Sequence, residues 1–230
     1  MRIALTGGIA CGKSTLAKFL RELGIRLLDA DDVVHELEAP GGAAVPAIVA
    51  RFGAGVLAAD GSVDRPKLAG IVFADAAARR DLEAILFPLV RSRLRAFTSE
   101  AARRGRPPST APAPPSTAPA PPSTAPVSRP PSTVPLYIAI IPLLFESHWE
   151  GDYDIILAIT SPLECQIHRM MRTRGYSRVQ AEARLAAQMP VAEKAARADF
   201  VVVNDSTHEH LKDEARRLVA WLKERAKYEQ

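Results

Sequence analysis

Apolar side chains recur along this chain in two rhythms, short continuous runs and three-to-four-residue spacings, and the two alternate. Residues 2–5 make a short apolar run that stops at Thr6-Gly7-Gly8, where a buried strand would enter a tight turn. From Lys13 onward Leu16, Phe19, Leu20 and Leu23 share one helical face, and Gly24 stands where a helix would be capped. Residues 25–28 read as a second strand that delivers Asp29, Asp31 and Asp32 at its carboxyl end. Residues 33–103 are rich in Ala, Leu and Arg at helical spacing, as in Leu82, Ile85, Leu86, Leu89 and Val90, interrupted by a Gly/Asp patch over 53–64. Two strongly apolar runs, 136–141 and 154–160, have the continuous character of strands buried on both faces of a parallel sheet. An Arg-rich helical stretch over 164–189, a last strand at 200–203 and a closing helix complete the order. That helix shows Ser206 and Glu209 at capping-box spacing and an apolar stripe of Leu211, Ala215, Leu218, Val219 and Leu222. Strands alternating with helices predict an α/β protein with a parallel sheet and crossover helices.

One segment departs from both rhythms. Between residues 106 and 135 the composition turns to Pro, Ser, Thr and Ala, with Pro-Pro-Ser-Thr-Ala-Pro-Ala beginning at 107 and at 114, a near copy at 121 and a degraded one at 130. Its side chains are too small and polar to offset the entropy of ordering, which predicts a disordered or polyproline II insert in a loop of a single domain. Such an insert could present a docking ligand for a polyproline-binding partner. Over all 230 residues the chain is 47% hydrophobic and 24% charged, which suits one sizeable core. A net charge of +4, with bases and acids interleaved, favours an anionic ligand and argues against nucleic acid. Cys11 and Cys165 match neither a disulfide framework nor a zinc set, and no window has the apolar length to span a bilayer, so a cytoplasmic protein is expected.

The chemistry concentrates in Gly7-Gly8-Ile9-Ala10-Cys11-Gly12-Lys13-Ser14-Thr15, which satisfies G-x-x-x-x-G-K-[ST] with a strand before it and a helix after it. Glycines let backbone N–H groups curl around phosphate oxygens, and the helix N-terminus adds partial positive charge. Gly8, Ile9, Ala10, Cys11, Gly12, Lys13, Ser14 and Thr15 are thus candidates for binding ATP, with Lys13 reaching the β- and γ-phosphates and the Ser14 hydroxyl facing Mg²⁺. The carboxylates after the second strand can take the proton of an attacking hydroxyl, hold a Mg²⁺ water, or cap a helix. Arg169, Arg172, Arg174 and Arg178 form a cluster suited to a lid that closes over phosphates, or to a solvated helix face.

Several separate stretches together resemble the dephospho-coenzyme A kinase family, over nearly all of the chain except 106–135. Thr6 through Thr15 is similar to its Thr-Gly-Gly-Ile-Gly-x-Gly-Lys-Ser opening, and Leu28-Asp29-Ala30-Asp31 to its Asp-Ala-Asp signature. Ile141-Pro142-Leu143-Leu144-Phe145-Glu146 resembles its Val-Pro-Leu-Leu-x-Glu segment, and Gln188-Met189-Pro190, Glu193-Lys194, Ala198-Asp199 and Asn204 resemble its C-terminal block. The resemblance implies a three-layer, parallel-sheet P-loop fold with core 1–32 and 136–230, a helical substrate region at 33–105 and a lid over about 164–188. It implies Asp31 as catalytic base with Lys13 and Arg169 as catalytic partners, and Asp31, His35, Pro142, Leu143, Leu144 and Glu146 on the acceptor side. It places the 188–204 block, Asn204 included, toward the adenine end of ATP. The implied reaction moves the γ-phosphoryl of Mg-ATP onto the ribose 3′-hydroxyl of dephospho-coenzyme A. Another small-metabolite or nucleoside kinase, or a nucleotide-dependent regulatory module docking through the repeat, are the alternatives. Ala10 where the family commonly has Gly, Phe87 where it often has His, Thr173 at the usual second lid arginine, and Ser206 where it has Gly are departures from its pattern.

Overall fold

The structure, a computed structural model, describes residues 1–104 and 135–228, with side chains for 1–100 and 135–227. The repeat expected over 106–135 lies outside the described residues, Pro135 excepted. Five parallel strands, β1 (Ile3–Gly7), β2 (Arg26–Asp29), β3 (Tyr137–Ile140), β4 (Ile155–Thr160) and β5 (Phe200–Val203), form one sheet in the order β2-β3-β1-β4-β5. This bears out the expected parallel α/β architecture. The central strand β1 pairs with β3 through Ile3↔Ile138 to Leu5↔Ile140, and with β4 through Ile3↔Ile155 to Gly7↔Ile159. The chain leaves β1 first toward one edge and later returns to the other, so the carboxyl end of β1 is the switch point where such sheets open a ligand crevice.

Alternation along the strands divides the core in two. Ile3 and Leu5 face α1 (Lys13–Glu22) and α9 (His208–Tyr228), where they meet Leu16, Leu20, Leu211, Leu218 and Leu222. Ala4 and Ala139 face the other way, toward α2 (Ala30–Glu38) and α5 (Ala76–Arg104), and pack with Val33, Val90, Leu94, Leu144, Phe145 and Trp149. A third cluster of Ala44, Ile48, Val56, Val63, Leu68 and Leu86 joins α3 (Val45–Phe52) and α4 (Arg65–Ala74) to the first half of α5. Helix α5 is tied back to the core by Arg91, which donates through both Nε and Nη2 to the nearly buried Asp152. Phe87 stands edge-on to Trp149 with ring centroids 5.3 Å apart, an aromatic contact between α5 and the segment after β3.

Two local expectations change. The stretch 164–189 is broken into α6 (Leu163–Arg174) and α7 (Arg178–Ala186), with α8 (Val191–Ala196) following. Gly175 takes φ 66° to end α6, and Ser177 and Gln180 form a reciprocal capping box that starts α7. The last helix is capped one residue later than expected: the Thr207 hydroxyl, not Ser206, accepts from the N–H of His210 at 3.2 Å. Among the described residues no helix is long and apolar enough to cross a membrane.

Candidate functional site

The loop between β1 and α1 turns sharply because two glycines permit it. Gly12 adopts φ 96°, and a Cβ there would come 2.2 Å from Asn204 Nδ2; a Cβ on Gly7 would come 2.5 Å from the Ile159 carbonyl oxygen. Both positions exclude any side chain. Ala10 holds φ 57°, a left-handed conformation that costs a non-glycine residue about 1–2 kcal/mol. Its carbonyl accepts from Arg169 Nη1 at 3.1 Å, which helps hold the strained turn.

Lys13, the first residue of α1, curls back so that Nζ donates to the Gly7 and Gly8 carbonyls at 2.8 Å each. Burial pushes its pKa below that of an ordinary lysine; the nearby carboxylates of Asp29 and Asp31 act in the opposite sense. The ammonium thus sits in the concavity of the loop, within electrostatic reach of Asp29 at the end of β2 and Asp31 at the start of α2. Ser14 is exposed in the first turn of α1, and the Cys11 side chain is fully buried beneath the loop, where burial raises its thiol pKa.

The acidic cluster divides its work. Asp29 caps α2, its Oδ1 accepting from the Asp31 N–H at 3.0 Å, and burial raises its carboxyl pKa, partly offset by that bond. Asp31 and Asp32 stand exposed in the first turn of α2, and His35 is exposed one turn farther on. Helix capping therefore falls to Asp29, and the Asp31 carboxylate is exposed to solvent.

Behind the loop, Asn204 follows β5 and its Nδ2 donates to the Cys11 carbonyl at 2.8 Å. Ser161, which follows β4, donates from Oγ to the Asn204 carbonyl at 2.7 Å. Arg169 of α6 joins the same group, with Nη1 on Ser161 Oγ at 3.0 Å and Nη2 on the Asn204 carbonyl at 3.3 Å. Arg169 is thereby a brace of the loop in this conformation. Ser161 was not anticipated from the sequence, although a small polar residue between a buried strand and Pro162 is a recognisable strand-to-helix junction. Arg172 and Arg174 are exposed on α6, while Arg178 is engaged by Glu164 and Glu182.

The segment after β3 behaves differently from a simple ligand surface. Leu143 is exposed, but Leu144 has no exposed area and belongs to the core, so it supports the segment from beneath. The Pro142 carbonyl accepts from Thr6 Oγ1 at 3.2 Å and from Lys194 Nζ at 2.7 Å. Glu146 pairs with the same lysine, at 2.7 Å through Oε1 and 3.0 Å through Oε2, and its Oε1 also accepts from the Met189 N–H at 3.1 Å. The Glu146 carboxylate is thus committed to internal partners, one of them the Met189 N–H, which ties the 188–190 turn to the segment after β3. Two hollows flank the loop: one of about 450 Å³ bordered by Gly8, Gln166, Leu185 and Met189, and one of about 520 Å³ bordered by Ser14, Thr15, Lys18, His208 and Lys212.

Comparison with known proteins finds related chains. Residues 1–104 and 128–210 match the family model described as dephospho-CoA kinase. A dephospho-CoA kinase of Anaeromyxobacter dehalogenans is 41% identical over 221 residues, covering 96% of this chain and 92% of that one. The crystal structure of TT1252 from Thermus thermophilus superposes with a TM-score of 0.68 at 33% identity over 97% of both chains. A dephospho-CoA kinase from Campylobacter jejuni, at a TM-score of 0.60 and 22% identity over 95% of each chain, shares the fold. A glycine-rich loop after the central strand, a family model matching both halves of the core, and relatives near 40% identity over almost the full length together show that this chain belongs to the dephospho-CoA kinase family.

Proposed function

We propose that the chain transfers the γ-phosphoryl group of ATP to the ribose 3′-hydroxyl of dephospho-coenzyme A, giving coenzyme A. The observation that carries this reading is the placement of Lys13 Nζ inside the Gly7–Gly12 turn, within the electrostatic reach of Asp29 and Asp31. Phosphoryl transfer asks for positioning and charge neutralisation more than for covalent chemistry. Backbone N–H groups of 8–13 and the N-terminus of α1 supply the first, and Lys13 supplies the second on the β- and γ-phosphates. When nucleotide enters, Lys13 exchanges its two carbonyl partners for phosphate oxygens, which are the better partners for a cation.

Asp31 acts as the general base: it accepts the proton of the acceptor hydroxyl as that oxygen attacks phosphorus. Its freedom from the capping role supports the assignment. His35, Pro142 and Leu143 border the acceptor side, with the Leu144 and Glu146 side chains holding that border in place. Arg169, released from the Ala10 and Asn204 carbonyls, is positioned to meet the triphosphate as α6 and α7 close as a lid. The hydroxyl of Ser14 and the carboxylates of Asp29 and Asp31 are hard oxygen donors suited to Mg²⁺, and no group of three or more His, Cys, Asp or Glu among the described residues would hold a metal alone. This fits an ion shared with the nucleotide phosphates, where it would neutralise charge developing during transfer.

The test is ADP release with dephospho-coenzyme A as sole acceptor. Release dependent on that acceptor is expected; release with a nucleoside but none with dephospho-coenzyme A would redirect the assignment to another small-molecule kinase of the same architecture.

A further inference from the structure

Lys194 is fully buried, yet it lies in α8, a helix of the C-terminal block that the sequence resemblance associates with the adenine end of ATP. Its ammonium points the other way. It satisfies its donors on the Pro142 carbonyl and on both oxygens of Glu146, the two ends of the segment that borders the acceptor. Glu146 in turn receives the Met189 N–H, which anchors the turn leading into α8. The Pro142 carbonyl is shared with Thr6 Oγ1, one residue before the phosphate loop, and the Ile141 N–H reaches the Leu5 carbonyl at 2.8 Å. On its inner side the same segment packs Leu144 and Phe145 against Ala30 and Val33 of α2, the helix that carries Asp31. A single buried cation therefore ties three parts of the site together: the strand leading to the phosphate loop, the acceptor segment, and the turn from the lid into α8.

We propose that Lys194 is a positioning residue for the acceptor side of the cleft, fixing Pro142–Glu146 relative to Asp31 and the phosphate loop without itself touching either substrate. The proposal rests on the reaction proposed above. A buried ion pair adds little net stability over well-packed apolar residues, whereas removing one partner leaves an uncompensated charge. What the pair supplies here is a fixed register between the Pro142–Glu146 segment and α8, since the bonds that the Leu143, Leu144 and Phe145 carbonyls accept come from the local N–H groups of Ser147, Trp149 and His148. Its loss would loosen acceptor binding more than nucleotide binding, because the loop braces made by Asn204, Ser161 and Arg169 are hydrogen bonds in which Lys194 takes no part, whereas both partners of its ammonium lie in the Pro142–Glu146 segment.

The experiment is steady-state kinetics on the full chain, varying each substrate separately, for Lys194→Met, Lys194→Arg and the double variant Lys194→Met/Glu146→Met, alongside the melting temperature of each. The double variant guards against misfolding, since it replaces the pair with apolar side chains of similar length and leaves no orphaned charge. The expected result is a rise of at least tenfold in KM for dephospho-coenzyme A with KM for ATP changed less than twofold, in both Met variants, and a partial return in Lys194→Arg. A purely structural role would lower melting temperature and apparent kcat through a smaller folded fraction while leaving both KM values in place, and that outcome overturns the proposal. So does a parallel rise in both KM values. Were the unmodified chain to use a different acceptor, the reaction assigned above would fall, while the same selective KM rise measured with that acceptor would still support the positioning role.

Discussion

Lys13 and Asp31 illustrate how few atoms the proposed chemistry needs. Lys13 is held in place by two backbone carbonyls at 2.8 Å, so its arrival at phosphate requires a change of partners and no large movement. Asp31 keeps an exposed carboxylate because its neighbour Asp29 takes over the capping of α2. Lys13→Ala and Asp31→Asn are each expected to lower turnover by about two or more orders of magnitude with an unchanged circular dichroism spectrum, as is usual for lost charge stabilisation or a lost general base. Turnover within a few-fold of the parent in either variant would remove that residue from its role. Ala10 shows the opposite economy: a side chain tolerated in a left-handed turn because only a methyl group protrudes and because Arg169 holds its carbonyl.

Among helices and strands, the tie between α5 and the core is the most sensitive to solution conditions. Asp152 is nearly buried and meets Arg91 and Arg95, and the side-chain hydrogen bond from Arg91 holds its carboxyl below the ordinary value of 3.8. Because the folded-state pKa is depressed, the stability this group contributes is fully present above about pH 4 and is lost as pH falls through the lower, folded value. Asp152→Asn is therefore expected to lower the melting temperature clearly at pH 7, with the gap to the parent closing progressively below pH 4. A gap that stayed constant with pH would show that the charge of Asp152 contributes nothing. The break of 164–189 into two helices is a second matter of this kind. Gly175 and the Ser177–Gln180 box make α6 and α7 separate rods joined by a short turn, which suits a lid that moves against the core.

Taken together, the sheet, the two layers of helices and the outlying helical cluster make a platform with all proposed reacting groups at the carboxyl end of β1 and its neighbours. The repeat enters after α5 and rejoins the chain just before β3, and the family match passes over residues 105–127. Its polar, proline-rich composition and its place between α5 and β3, away from the loop residues in sequence, support a passive insert. Deleting 106–134 is expected to leave kcat and both KM values within about twofold, because a polar insert adds closure entropy to a loop and little else. A loss of turnover without loss of folding would give the repeat a part in the site.

The strands, the phosphate loop and the parallel sheet were legible in the linear order of residues because their causes are local. Continuous apolar runs can be satisfied only inside a sheet, and glycines at Gly7 and Gly12 answer to backbone angles and close approaches that no other residue accepts. The division of labour between Asp29 and Asp31, the brace built from Ser161, Arg169 and Asn204, and the commitment of Glu146 to Lys194 came from packing. These pairs are separated by between 2 and 193 residues, and even the nearest depends on which way a helix start is turned. Periodicity reports which face of an element is apolar; it does not report which charged group on a distant element will meet it. Burial decides that last step, since an ammonium or carboxylate removed from water must find a partner within hydrogen-bond reach, and only the folded chain establishes which partner that is.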